Sequence, residues 1–152
     1  MYRKVLVPLD GSELAECVLP HVEALAKGGV VKEIVLVRAV EPFHLRGGEA
    51  HFTEEQRDKI DSVARSDAKD YLDRVAGRAK LGVTVHTEVL YGKVADSLVD
   101  YARNRNIDLI IIATHGRSGI SRMVRGSIAD HILSSACVPV LMVRAPGCVP
   151  GH

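Results

Sequence analysis

The chain has no tryptophan, and aromatic residues make up only 4% of it. Single-stranded nucleic acid is gripped by stacked aromatic side chains, so that class of partner is poorly supplied. Charge of either sign is not in excess: 20 Lys+Arg stand against 19 Asp+Glu, a formal net charge of +1. A general binder of nucleic acid or of an anionic membrane needs a basic surplus over an extended face, and none is present. Cysteines are few. Cys17, Cys137 and Cys148 are odd in number and form no CxxC pair, so a reducing, cytoplasmic setting is the expectation. Cys148 and His152 are two candidate ligands near one end, too few for a metal site. Long hydrophobic runs are missing as well. The stretch MYRKVLVPLDGS holds only a short apolar segment before Asp10, too short for a signal peptide, and no run approaches the length of a membrane span.

What is present is an ordinary balance, 47% hydrophobic and 26% charged over 152 residues, which suits one domain with its own core. We expect that domain over residues 1–145, with 146–152 as a flexible tail. RKVLVPL, residues 3–9, reads as a buried strand ending in the turn DGS. Leu14, Val18, Val22 and Leu25 then fall at helical spacing over 12–27, with Pro20 inside the pattern, where it predicts a kink. EIVLVRAV, 33–40, is a second strand, and EPFHLRGGEAHF, 41–52, has no period and reads as a loop. Thr53 with Gln56 forms a capping-box signature ahead of a long helix, its stripe marked by Ile60, Ala64, Ala68, Leu72, Val75 and Ala79. VTVHTEVLY, 83–91, alternates as a half-exposed edge strand does, and 94–104 is a helix facing inward at Leu98, Val99 and Ala102. Residues 107–113 are apolar on both faces and therefore central. Val124, Ile128, Ile132 and Ala136 stripe a last helix, and VPVLMVR, 138–144, is a last strand.

Strands alternating with helices imply right-handed crossovers and an open α/β fold, a parallel sheet of about five strands with helices on both faces. Such sheets bind ligands beyond the carboxyl ends of their strands, where the strand order reverses. That rim collects DGS after the first strand and ATHGRSG after the fourth. Gly116 and Gly119 lie in a loop with Arg117, Arg122 and Arg125, and Gly126-Ser127 opens the next helix. A helix N-terminus offers unpaired N–H groups and partial positive charge, for which phosphate is the natural ligand. Glycine lets backbone approach that phosphate, although positive φ in a turn accounts for glycine equally well. Asp10 is open to two readings, a helix cap for 12–27 or a carboxylate for Mg²⁺. GxxxxGK[ST], GxGxxG and GxSxG are all missing, which removes the P-loop, dinucleotide and esterase readings. Ser127, Asp130 and His131 are neighbours on one helix and point different ways, which speaks against a catalytic triad.

VLVPLDGS, THGRSG…RGS and VPVLMVR, taken together, resemble the universal stress protein family over about residues 3–144. Many members carry Gly-x-x-Gly-x9-Gly-[Ser/Thr] around the ATP phosphates. The matching register here is Ala113-Thr114-His115-Gly116, nine residues, then Gly126-Ser127, with Ala113 in place of the first glycine. The resemblance implies a Rossmann-like sheet of order 3-2-1-4-5, similar to adenine nucleotide alpha hydrolases. It implies ATP with Mg²⁺ or Mn²⁺ as cofactors. Asp10, beside Pro8 and Leu9, would face the phosphates and metal, and Ala39 would meet adenine through its backbone. Ile112 and Ala113 would line base and ribose. Gly116, Gly126, Ser127 and Ile128 would hold the phosphates, with Arg117 and Gly119 in the same loop. The family also implies a homodimer through 138–144. Three functions follow: an ATP-binding regulatory stress module with little turnover, a nucleotide-independent dimer acting through an unknown protein partner, and a true enzyme. No SGGxDS loop or HIGH-type motif supports the third.

Overall fold

KVLVPL is apolar without alternation, and such a strand is satisfied only with a packed layer on each side. The computed structural model, which describes residues 1–46, 51–114 and 127–145, has that arrangement. Strands β1 (Tyr2–Pro8), β2 (Val31–Val40), β3 (Thr84–Tyr91), β4 (Leu109–Thr114) and β5 (Val140–Arg144) form one parallel sheet of order β3-β2-β1-β4-β5. Successive residues of β1 serve opposite faces. Val5 and Val7 join Ile34, Leu36, Leu72 and Ile111 in one core layer, while Leu6 joins Val35, Leu98, Ile110 and Ile132 in the other. Helices α1 (Leu19–Lys27) and α2 (Glu54–Arg78) cover the first face; α3 (Val94–Asn104) and α4 (Ser127–Ser135) cover the second. No helix among the described residues is long and apolar enough to cross a membrane.

The element order and the strand order agree with expectation, and β3 is the half-exposed edge that its alternation predicts. The capping box is present in full: Gln56 N donates to Thr53 Oγ1 (3.2 Å), and Thr53 N donates to Gln56 Oε1 (2.9 Å). The expected helix over 12–27 is corrected. A 3₁₀ turn, Ala15–Val18, comes first, and α1 starts only at Leu19 with Pro20 in its first turn. A proline there needs no N–H, so the chain breaks rather than kinks. Residues 41–52 are not wholly irregular, since Phe43–Arg46 makes a 3₁₀ turn. β5 begins at Val140, two residues later than expected. Val124 of the expected last stripe lies outside the described residues.

Candidate functional site

β1 connects to β2 on one side of the sheet, while β4 and β5 lie on the other, so the order reverses between β1 and β4. A crevice beyond the carboxyl ends of these two strands is the expected ligand site of an open parallel sheet. A cavity of about 140 Å³ lies there. Pro8, Leu9 and Asp10 line it after β1, Ala39 near the end of β2, and Ile112, Ala113 and Thr114 from β4. Ala15, Val94, Leu98, Ile128 and Ala129 complete the wall. The lining is mostly apolar with few polar groups, the usual make-up of a small-molecule site.

All seven of the candidate residues whose side chains are described, Pro8, Leu9, Asp10, Ala39, Ile112, Ala113 and Ile128, therefore meet at one cavity. Gly116, Arg117, Gly119 and Gly126 lie outside the described residues. Ser127 is the first residue of α4, which brings that helix start to the cavity through Ile128 and Ala129.

The backbone of β2 contributes as much as its side chains. Val37 turns its carbonyl toward β1, where it accepts from Leu9 N (2.8 Å). Val40 turns its carbonyl the other way, toward β3, accepting from Gly92 N (3.0 Å). Ala39 lies two residues past Val37 and so presents its N–H and C=O on the β1 side, beyond the last β1 pair, Pro8 with Val37. One donor and one acceptor are thus aimed side by side into the crevice.

Asp10 does not cap a helix, contrary to that reading. Its Oδ1 accepts from Ser12 N (2.9 Å) and Ser12 Oγ (2.5 Å), and Ser12 Oγ in turn accepts from Ala15 N (3.2 Å) at the start of the 3₁₀ turn. The carboxylate shapes the turn and leaves Oδ2 with no protein donor among the described residues. Gly11 beside it has φ of 89°, and a Cβ there would lie 3.0 Å from Arg38 Nη1. That φ favours glycine, and a side chain there would also push against the tip of Arg38. Arg38 itself sits over the Tyr71 ring, 5.3 Å from its centroid. Burial pushes the Tyr71 phenol up, and the Asp10 charge adds to this, while Arg38, Gly11 and Arg74 act against it. Arg38 and Tyr71 back the Asp10 turn from a polar groove also lined by Gly11, Asp67, Asp70 and Arg74. Sequence reasoning missed both, although an arginine inside EIVLVRAV was a visible interruption.

A further groove adjoins the cavity at Val94 and Ile128, and is lined also by Glu41, Leu45, Lys93, Ala95, Asp96 and His131. His131 Nε2 lies 3.0 Å from Asp96 Oδ1, an exposed link between α4 and α3 rather than part of a triad. No cluster of three or more His, Cys, Asp or Glu side chains fit to hold a metal occurs among the described residues.

Comparison with known proteins decides the family. The model of the universal stress protein family matches residues 1–144. The chain belongs to that family. Universal stress protein MJ0531 of Methanocaldococcus jannaschii is 31% identical over 149 residues, spanning 96% of this chain and 84% of the relative. Among solved structures, hypothetical protein MJ0577 superposes with a TM-score of 0.79 at 25% identity, over 97% of this chain and 99% of that one. A universal stress protein family protein from Arabidopsis thaliana with AMP bound has a TM-score of 0.60 at 12% identity, over 95% and 93% of the two chains. That identity carries the shared fold alone.

Proposed function

We propose that this universal stress protein is an ATP-binding regulatory module with little or no turnover, its ligand held in the crevice between β1 and β4. The carrying observation is the Ala39 backbone edge at a cavity walled mostly by apolar residues. Adenine offers an acceptor at N1 next to a donor at N6, which matches the Ala39 N–H and C=O. Guanine presents the reverse pair and would leave both protein groups unsatisfied. The Arabidopsis structure with AMP bound shows that a protein of this fold accommodates an adenine nucleotide.

Ala113, in the motif's glycine position, does not oppose this reading. Ile112 and Ala113 face opposite sides of the sheet, and Ala113 packs against the core layer beneath α1 and α2. Five of the twelve residues of the cavity wall belong to the other layer, Val94, Leu98, Ile112, Ile128 and Ala129, and Ala113 lines the wall as well. The extra methyl therefore has packing to make against that core even though Ala113 also lines the cavity. Phosphates would extend toward Asp10 and the start of α4, with the loop of Gly116, Arg117, Gly119 and Gly126 wrapping them. The donor set fits Mg²⁺ or Mn²⁺ only as a shared ligand, since one carboxylate is available and phosphate oxygens must supply the rest. Such a cation would neutralise phosphate charge beside Asp10.

Isothermal calorimetry with ATP and GTP, with and without Mg²⁺, tests the proposal. ATP is expected to bind at least tenfold tighter than GTP, a preference of about 1.4 kcal/mol or more. Equal binding of the two would remove the Ala39 edge from the account, and no binding of either would favour a nucleotide-independent dimer.

A further inference from the structure

Asp61 is the one buried charged side chain among the described residues, 6% exposed on α2. A carboxylate in that position must be held by donors, and two of them come from other elements. Phe43 N donates to Oδ1 (2.9 Å), and the Tyr91 hydroxyl donates to Oδ2 (2.6 Å). Tyr91 is the last residue of β3, and its ring lies 4.7 Å under the Arg65 guanidinium of α2. Phe43 opens the 3₁₀ turn that follows β2 and packs edge-on against Phe52, with ring centroids 5.0 Å apart. One side chain thus joins the exit of β2, the end of β3 and the covering helix.

The joined segment continues directly from the wall of the site at Ala39. Only three residues separate Phe43 from Ala39, whose backbone edge faces the crevice. Between them Val40 is fixed to β3 through Gly92 N (3.0 Å), and Leu45 N donates to Pro42 O (2.9 Å) to close the turn. Glu41 and Leu45 line the groove that meets the cavity at Val94 and Ile128.

We propose that Asp61 is a positioning residue for the base of the bound nucleotide: its clasp on Phe43 and Tyr91 sets the course of the chain leaving β2 and so aims the Ala39 edge. The proposal rests on the nucleotide reading above. It predicts an effect on base recognition rather than on phosphate binding, because Asp61 acts from α2, on the opposite face of the sheet from α4, and reaches the site through the exit of β2. If the clasp opens and the aimed conformation falls to about a tenth of molecules, apparent ATP affinity falls about tenfold.

The test uses the full chain and measures ATP and GTP affinity by calorimetry, alongside melting temperature and hydrogen exchange of the Phe43 amide. Asp61→Leu is expected to lose roughly tenfold in ATP affinity while GTP affinity stays level, so the ratio between them narrows. Asp61→Asn keeps an acceptor for Phe43 and should retain wild-type discrimination. Should Asp61→Leu fail to fold, Tyr91→Phe serves, with an expected loss of about threefold in ATP affinity and faster exchange at Phe43. Wild-type discrimination in folded Asp61→Leu or Tyr91→Phe would overturn the proposal, as would parallel loss for both nucleotides. Wild-type protein that binds neither nucleotide would overturn the nucleotide reading itself, and the aiming role with it.

Discussion

Gly126 carries the sharpest expectation at the scale of single residues. On the proposed reading, a branched side chain just ahead of Ser127 would compete with phosphate for the space before α4. Gly126→Val is therefore expected to lose two charge-assisted hydrogen bonds of roughly 1.5–3 kcal/mol each, a fall in ATP affinity of more than a hundredfold. Its melting temperature should stay near wild type, and unchanged affinity would contradict the phosphate assignment. Tyrosines give a separate expectation at high pH. The phenols of Tyr71 and Tyr101 are pushed up mainly by burial, and that of Tyr91 mainly by its bond to Asp61. A raised folded pKa means stability that is complete below the ordinary value near 10 and is lost as pH climbs through the folded values. Urea unfolding between about pH 9 and 11 should show that decline, and Tyr91→Phe should flatten it. Pro8, Leu9, Asp10, Ile112 and Ala113, named through the family resemblance, meet at one cavity because each stands where β1 or β4 ends. Asp61 and Tyr91 were not legible in the sequence: Asp61 reads as one more charge on a polar helix, and its partners lie 18 and 30 residues away.

Elements were legible to the extent that their signals are local. Thr53 and Gln56 fix the start of α2 within four residues, and both reciprocal bonds are present. Thr53→Ala should cost about 1 kcal/mol by urea unfolding, with nucleotide affinity little changed. A cost near zero would mean that tertiary packing alone sets that helix start. The segment 12–27 shows where periodicity misleads. Leu14 and Val18 match the stripe of the following helix, yet the Asp10–Ser12 turn and Pro20 divide the stretch into a 3₁₀ turn and α1. Residues 41–52 mislead in the opposite sense, since no period betrays a turn held by a side chain from a distant helix. The two edges of the sheet also differ. β3 carries charge and polar cover, with Lys69 Nζ, Asp73 Oδ1 and Thr87 Oγ1 bonded together over it and His86 Nε2 3.1 Å from Glu33. β5 shows Val140, Leu141 and Met142 and carries no charge before Arg144 at its end.

That contrast sets the expectation for the whole molecule, which we propose pairs through β5 as a homodimer. Leu141 is 40% exposed on the open edge, whereas Val143 is 8% exposed and belongs to the core beneath α1 and α2. Leu141→Lys alone is thus the clean probe, because lysine at Val143 would unfold the chain. Sedimentation at micromolar concentration should show wild type as a dimer and Leu141→Lys as a monomer; a monomeric wild type would refute the pairing. The overall architecture was readable from the order of buried strands and helices, since parallel sheets admit few connections. What the order cannot convey is which backbone groups at the rim lie beyond the last strand pairing among the described residues. The central claim rests on one such pair, the N–H and C=O of Ala39 beyond the last β1 pairing. The most direct test is a calorimetric titration of the wild-type chain, freed of carried-over nucleotide, with ATP and then with GTP. The account predicts saturable one-site binding of ATP at least tenfold tighter than GTP, a gap of about 1.4 kcal/mol. Equal affinities, or no heat from either nucleotide, would contradict it.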